Sequence, residues 1–337
     1  VGRGKVTCRA AILSLQITNG AWTIGFMTPH EVDVSWDDLR PILREWAGAD
    51  AELDEVSPLH GGQINTTLKL TAADGQKCVL KITPHRVDRS YRDEAHQLKL
   101  LAEAGIPVPT IYACKTASLE QPFSYLLMEF IEGVDLSTAC SQCGSEAAEA
   151  LQRHLAELVL QIHDCRAEQF QRVVADESKP FDNWPACYRD VYDSIWRDVQ
   201  KSNLLPVKSR KLMNRVHDRL ERLIAHDDCP RLTHWDLWAT NILAQADADG
   251  VWRISALLDP NCKFGHAEAE LAYLELFHTV TPAFMKVYQQ NRRLGDDYHR
   301  VRKPVYQLYS LLNHVHLFGQ DYLKAFSMTL DRVGQLV

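Results

Sequence analysis

Between Asn241 and Asp259 the chain carries two apolar-rich segments, 242–245 and 251–258, separated by Ala246-Asp247-Ala248-Asp249-Gly250. Two such segments about a turn-rich linker form a hairpin, and a hairpin brings its two ends together. Groups just outside it become neighbours although they lie 18 residues apart in sequence. On the entry side stands Thr233-His234-Trp235-Asp236-Leu237-Trp238-Ala239-Thr240-Asn241, and on the exit side Leu258-Asp259-Pro260. Any fold of this chain therefore gathers two carboxylates and one amide at one end of a hairpin. An isolated H-x-D also occurs in hydrogen-bonded loops and helix caps, so the rest of the chain decides what the stretch means.

A carboxylate that orients a hydroxyl and accepts its proton, with an amide and a second carboxylate as oxygen ligands for Mg²⁺, is what phosphoryl transfer from ATP requires. Asp236 is the candidate base, and Asn241 and Asp259 are the candidate metal ligands. Upstream, 51–59, 67–71 and 77–82 read as strands, joined by His60-Gly61-Gly62-Gln63-Ile64-Asn65 and by an Ala73-Asp74-Gly75 turn. Gly61 and Gly62 would let backbone amides approach phosphate oxygens closely, although an ordinary hairpin turn explains them equally well. Lys81 is the one charged residue in the apolar run Cys78-Val79-Leu80-Lys81-Ile82, where a lysine is costly unless it meets an anion. In the helix that follows, Glu94 lies on or near the face carrying Tyr91, Ala95 and Leu98. It either pairs with Lys81 to hold that lysine against phosphates or sits at the surface.

Gly105-Ile106-Pro107 ends that helix. The run from Ser124 to Gly133 reads as a buried strand running into a polar connection, where backbone groups of Glu129 and Ile131 would pair with adenine. The remainder is helical. Segments 146–165, 184–199 and 212–224 carry apolar residues at a period of 3.6, and 166–183 reads as a loop. Trp184 and Tyr188, just after that loop, and Trp238 are candidates for the acceptor side of a cleft, where aromatic faces suit a sugar and its stem.

The formal charge of −7 leaves no basic footprint for nucleic acid. No apolar run is long enough to span a membrane. The nine cysteines, an odd number, fit a reducing cytoplasm better than a disulfide framework. Cys140-Ser141-Gln142-Cys143 lacks a second ligand pair for zinc. Residues 1–26 carry three basic residues, no acidic ones and a short apolar patch, and precede the first methionine, Met27. They read as a targeting segment or as upstream sequence, with no expected role in catalysis; the second reading is preferred.

With a glycine loop, a lysine strand, an inward glutamate, a hinge, H-x-D-x-x-x-x-N and a later Asp in that order, the chain resembles the aminoglycoside phosphotransferase and choline kinase-like superfamily. Within it, the chain is most similar to the fructosamine kinase (ketosamine 3-kinase) family. The family's H-G-D-L-W-x-G-N is matched at His234, Asp236, Leu237, Trp238 and Asn241. Its I-D-P-x-x-x-Y-G-x-x-E-A-E-L-A is echoed from Leu258 to Ala272, and Y-Q-L-Y-x-x-L-N-H-x-x-x-F-G-x-x-Y stands at Tyr306 to Tyr322. Trp235 and Thr240 replace glycines of the pattern, and the 183–199 helix matches the family's tryptophan-containing segment only loosely.

The resemblance implies an α/β (α+β) two-lobed protein-kinase-like fold. A small antiparallel-sheet lobe would span 35–131 and a mainly helical lobe 132–337, with 1–34 a non-catalytic extension and ATP with Mg²⁺ lying between the lobes. It implies phosphorylation of the 3-hydroxyl of a ketosamine, with Lys81 on the phosphates, Glu94 positioning it, His234 organising the loop and Glu270 bracing it from behind. The alternatives are another hydroxyl acceptor, such as an aminoglycoside or choline, and an inactive nucleotide-binding scaffold. Neither nucleic acid nor membrane is an expected partner.

Overall fold

The computed structural model describes all residues except 1–4, 9–12, 19–20, 27–31, 60–65, 84–89, 119–120 and 122. The expected glycine loop, with Gly61 and Gly62, lies outside the described residues. The chain divides into two compact units, 1–103 with 107–132, and 104–106 with 133–337.

In the first unit a five-stranded antiparallel sheet has the order Leu53–Pro58, Thr66–Ala72, Lys77–Thr83, Ser124–Glu129, Ile111–Lys115. Successive side chains of a strand point to opposite faces, and each face is covered by one helix. Cys78, Leu80 and Ile82 pack with Leu39 and Ile42 of the helix Trp36–Ala47. Ser35 caps that helix reciprocally with Asp38, so the chain enters it with its first amides satisfied. Val79 packs on the other face with Tyr91 and Leu98 of the helix Ser90–Glu103. Lys81 shares the parity of Val79, so its side chain is delivered to the face that carries Glu94.

The second unit is mainly helical, with two small three-stranded sheets. One joins Val134–Asp135, Ile242–Ala246 and Trp252–Leu257, and the other joins Gln171–Arg172, Lys263–Gly265 and Arg231–Thr233. The expected hairpin is present, with Ile242 opposite Leu257 and Asp247 capping its turn by accepting from the amides of Asp249 and Val251. Residues 234–241 and 258–262 thus both run from one small sheet to the other. They lie side by side, stitched by Leu258 N–H to the Asn241 carbonyl at 2.8 Å and Asn261 N–H to the His234 carbonyl at 2.9 Å.

Helices Ser145–Asp164 and Trp184–Lys201 occur where the apolar periodicity places them. The run 212–224 is two helices rather than one, Val207–Asp218 and Leu220–Ile224, broken at Arg219. Val216 and Leu220 are both fully buried, so the break keeps the apolar stripe inward while the axis turns. No described helix is long and apolar enough to cross a membrane.

Candidate active site

Asp236 sits half-buried on the first of the two side-by-side loops. One carboxylate oxygen accepts from the Tyr273 hydroxyl at 2.8 Å. The Asn241 amide donates to the Asp236 carbonyl at 2.9 Å and approaches its other carboxylate oxygen at 3.4 Å. Burial raises the affinity of Asp236 for a proton, and the Tyr273 hydrogen bond and nearby His234 only partly offset that. The result is a carboxylate fixed in direction and more basic than one in water.

Asn241 ends the single turn Ala239–Asn241 and is 7% exposed. Because its NH₂ is engaged with Asp236, its amide oxygen is left for another partner. The Asn241–Leu258 bond puts Asp259 at the same hairpin end, with a left-handed φ of +53° that turns the chain there. One amide oxygen and one carboxylate are hard donors of the kind that suit Mg²⁺, and the donor set fits that ion.

Behind the loop lies a buried relay. Glu270, on the helix Ala267–Leu276 and 1% exposed, accepts from the Trp235 amide at 2.6 Å and meets His163 Nε2 at 2.8 Å. His163 Nδ1 meets the Tyr288 hydroxyl at 2.8 Å. Burial alone would raise the Glu270 pKa, but the His163 hydrogen bond, the neighbouring imidazoles and the Trp235 amide hold it below the usual range. Glu270 is thus an anion that clamps the backbone beside Asp236. His234 is fully buried, no hydrogen bond to either ring nitrogen is found among the described residues, and burial lowers its pKa, so the neutral ring packs under the loop.

In the first unit the Lys81 ammonium meets Glu94 at 2.6 Å, both side chains largely buried. Glu129 ends the strand Ser124–Glu129; its amide donates to the Thr110 carbonyl at 2.8 Å and its carboxylate accepts from the Thr110 amide at 3.1 Å. Ile131 lies just beyond the strand's end and is half-buried.

Residues 35–335 match the sequence profile of the fructosamine kinase family. The chain belongs to that family. It is 28% identical to a probable ketoamine kinase of Enterococcus faecium, over 80% of this chain and 91% of the relative. It is 26% identical to a probable ketoamine kinase of Escherichia coli O157:H7, over 88% and 99%. Among solved structures, a putative fructosamine-3-kinase from Haemophilus somnus superposes with a TM-score of 0.71 at 21% identity, covering 88% of this chain and 97% of that one. An aminoglycoside phosphotransferase superposes at 0.62 and 17%, covering 89% and 97%. The fold is thus the two-lobed kinase-like one, and membership of the fructosamine kinase family makes the protein a phosphotransferase acting on hydroxyl groups.

Family membership makes the two replaced glycines informative. Trp235 has φ +69°, a conformation that costs a non-glycine residue about 1–2 kcal/mol. Its ring is locked by edge contacts with Trp184 at 5.8 Å and Tyr188 at 6.2 Å, and by the Lys263 ammonium 4.5 Å from its centroid. Thr240 is not among the residues with positive φ, so no glycine is required there.

Trp184 and Tyr188, expected to face an acceptor, are each 1% exposed. They pack into a core with Tyr192, Tyr306 and Tyr309, and the Trp184 indole donates to the Tyr306 hydroxyl at 3.0 Å. Gly265 is what admits that ring, since a Cβ there would lie 2.9 Å from it. The two residues therefore stand behind Trp235, whereas Trp238, on the loop itself, is half-buried.

Sequence reasoning passed over Tyr273 and Lys263, and read His163 as a packed or exposed helix residue rather than a catalytic one. Tyr273 was within reach, three residues beyond Glu270 and hence on the same helix face. His163 and Lys263 are joined to the site only by long-range packing.

Proposed function

We propose that this protein transfers the γ-phosphoryl group of ATP to the 3-hydroxyl of a ketosamine. The observation that carries the reading is the side-by-side arrangement of 234–241 and 258–262, which places the Asp236 carboxylate beside two hard oxygen donors. The ketosamine oxygen attacks the γ-phosphorus, the bond to the ADP oxygen breaks, and the hydroxyl proton passes to Asp236. A buried, basic carboxylate held by Tyr273 and Asn241 suits that step, because both its direction and its proton affinity are set beforehand. Asn241 and Asp259 would hold Mg²⁺, which when bound neutralises charge on the phosphates. Lys81, oriented by Glu94, would bind phosphate oxygens, and backbone groups at Glu129 and Ile131 would meet adenine.

The relatives named as ketoamine kinases favour a ketosamine acceptor, while the aminoglycoside phosphotransferases among the structural neighbours keep a polycationic acceptor in view. The test is ADP release with a fructosamine, a ribulosamine, an aminoglycoside and choline under one set of conditions. Turnover should be greatest with a ketosamine. A tenfold or greater advantage in kcat/KM for an aminoglycoside would overturn the acceptor assignment. Asp236→Asn should cut turnover by about 10³-fold while leaving nucleotide affinity within about twofold, since this carboxylate addresses the acceptor.

A further inference from the structure

A second set of aromatic side chains meets Asp236 from the side opposite in character to the buried one. Tyr273, whose hydroxyl donates to Asp236, packs its ring at a tilt against Phe277 with centroids 4.7 Å apart. His314 packs on Phe277 at 4.6 Å, on Tyr322 at 4.8 Å, on Phe318 at 5.7 Å and on Tyr273 at 6.4 Å. His314 is therefore the hub of this array. All five side chains are half-buried, whereas those around Trp184 are enclosed.

The tautomer of the hub follows from its hydrogen bond. His314 Nδ1 lies 2.9 Å from the Ser310 carbonyl, which only accepts, so the proton resides on Nδ1. Nε2 of the neutral ring is then an acceptor, and among the described residues no hydrogen bond occupies it. Burial holds the imidazole pKa below its usual value, against the pull of the Ser310 bond and Asp236, which keeps the ring neutral at pH 7.

We propose that His314, with Tyr273, Phe277, Phe318 and Tyr322, is the subsite for the amine-bearing end of the acceptor, taking one secondary ammonium with an apolar stem. The proposal rests on the ketosamine reading above and specifies which part of the acceptor this surface recognises. In a ketosamine the amine is on the carbon two positions from the one bearing the reactive hydroxyl. Tyr273 joins the two regions in the protein, with its hydroxyl on the Asp236 carboxylate and its ring in the array. Aromatic faces attract a single cation through the negative charge of their π-systems. His314 Nε2 supplies the directional acceptor for an ammonium N–H, a charge-assisted hydrogen bond.

The test compares kcat/KM for an N-alkyl fructosamine with that for 1-deoxyfructose, which has the same hydroxyls and no amine. The wild-type protein should favour the fructosamine strongly. In His314→Phe, which keeps an aromatic ring and removes the acceptor nitrogen, the ratio of the two values should fall by about 10–100-fold. Tyr322→Leu, which removes a ring face without touching the Ser310 bond, should lower the ratio by about 2–5-fold. It decides the matter if His314→Phe fails to fold. Ratios within twofold of wild type in the folded variants would overturn the subsite. If the wild type phosphorylates neither compound, the ketosamine reading fails. Calorimetric binding of the fructosamine to wild type and Tyr322→Leu then tests the subsite by itself, with unchanged or undetectable binding overturning it.

Discussion

Replacing Trp235 by alanine and by glycine should reverse the usual order of stability. Both changes remove the same indole and its contacts with Trp184, Tyr188 and Lys263, so the loss of packing is common to the pair. They differ in the backbone. At an ordinary φ, glycine is less stable than alanine by roughly 0.5–1 kcal/mol because it loses more freedom on folding. At φ +69° the Cβ of alanine carries a penalty of about 1–2 kcal/mol that glycine escapes. Rotation of the peptide that precedes Trp235 is resisted at both of its polar groups, by its N–H on Glu270 and by its carbonyl, that of His234, receiving Asn261 N–H. The net preference is about 1 kcal/mol for glycine, or about 2–4 °C in Tm for a unit of this size. Differential scanning calorimetry of the two variants measures it directly. Thr240→Gly, at the other position where the family pattern has glycine, should instead destabilise, because its φ is ordinary. A Trp235→Ala protein that melts at or above Trp235→Gly would refute the strain reasoning.

Three further outcomes are expected. Tyr273→Phe removes a donor that stabilises the charged form of Asp236, so the Asp236 pKa should rise and the acidic limb of the kcat/KM profile should move to higher pH; an unmoved limb would show that Asp236 is not the titrating group. Lys263 is buried without a carboxylate partner among the described residues, and burial with the nearby Arg172 pushes its pKa down to about 7. Since the folded value lies below the unfolded one, the charged form disfavours folding fully below pH 7, and that penalty fades as pH rises toward 10.5. Lys263→Met should therefore raise Tm more at pH 6 than at pH 9.5, and equal increments at the two values would contradict this. Asp259→Asn should weaken nucleotide binding at least tenfold in the presence of Mg²⁺ and little in its absence, measured by calorimetry; equal effects in both would remove Asp259 from the metal site.

The hairpin at 242–257 was legible because alternation, turn residues and its length are local properties, and local sequence decides them. The same holds for the strand that carries Lys81, where parity alone selects the face toward Glu94. The order of motifs from Lys81 to Tyr322 was likewise enough to indicate the family, because it depends only on residue identity and spacing. What tertiary structure decided was which aromatic residues are wall and which are core. Trp184 and Tyr188 carry the same helical periodicity whether their helix face meets a ligand or other side chains, and only the arrival of Tyr306, Tyr309 and Trp235 from distant segments encloses them. His314 and Phe318 stood in the sequence as part of a family pattern, but His314 meets Tyr273, with Phe318 beside it, because Lys303–Phe318 packs beside Ala267–Leu276. The strain at Trp235 was equally invisible, since a backbone angle is imposed here by what holds the His234–Trp235 peptide, Glu270 from one helix at its N–H and Asn261 from the neighbouring loop at its carbonyl.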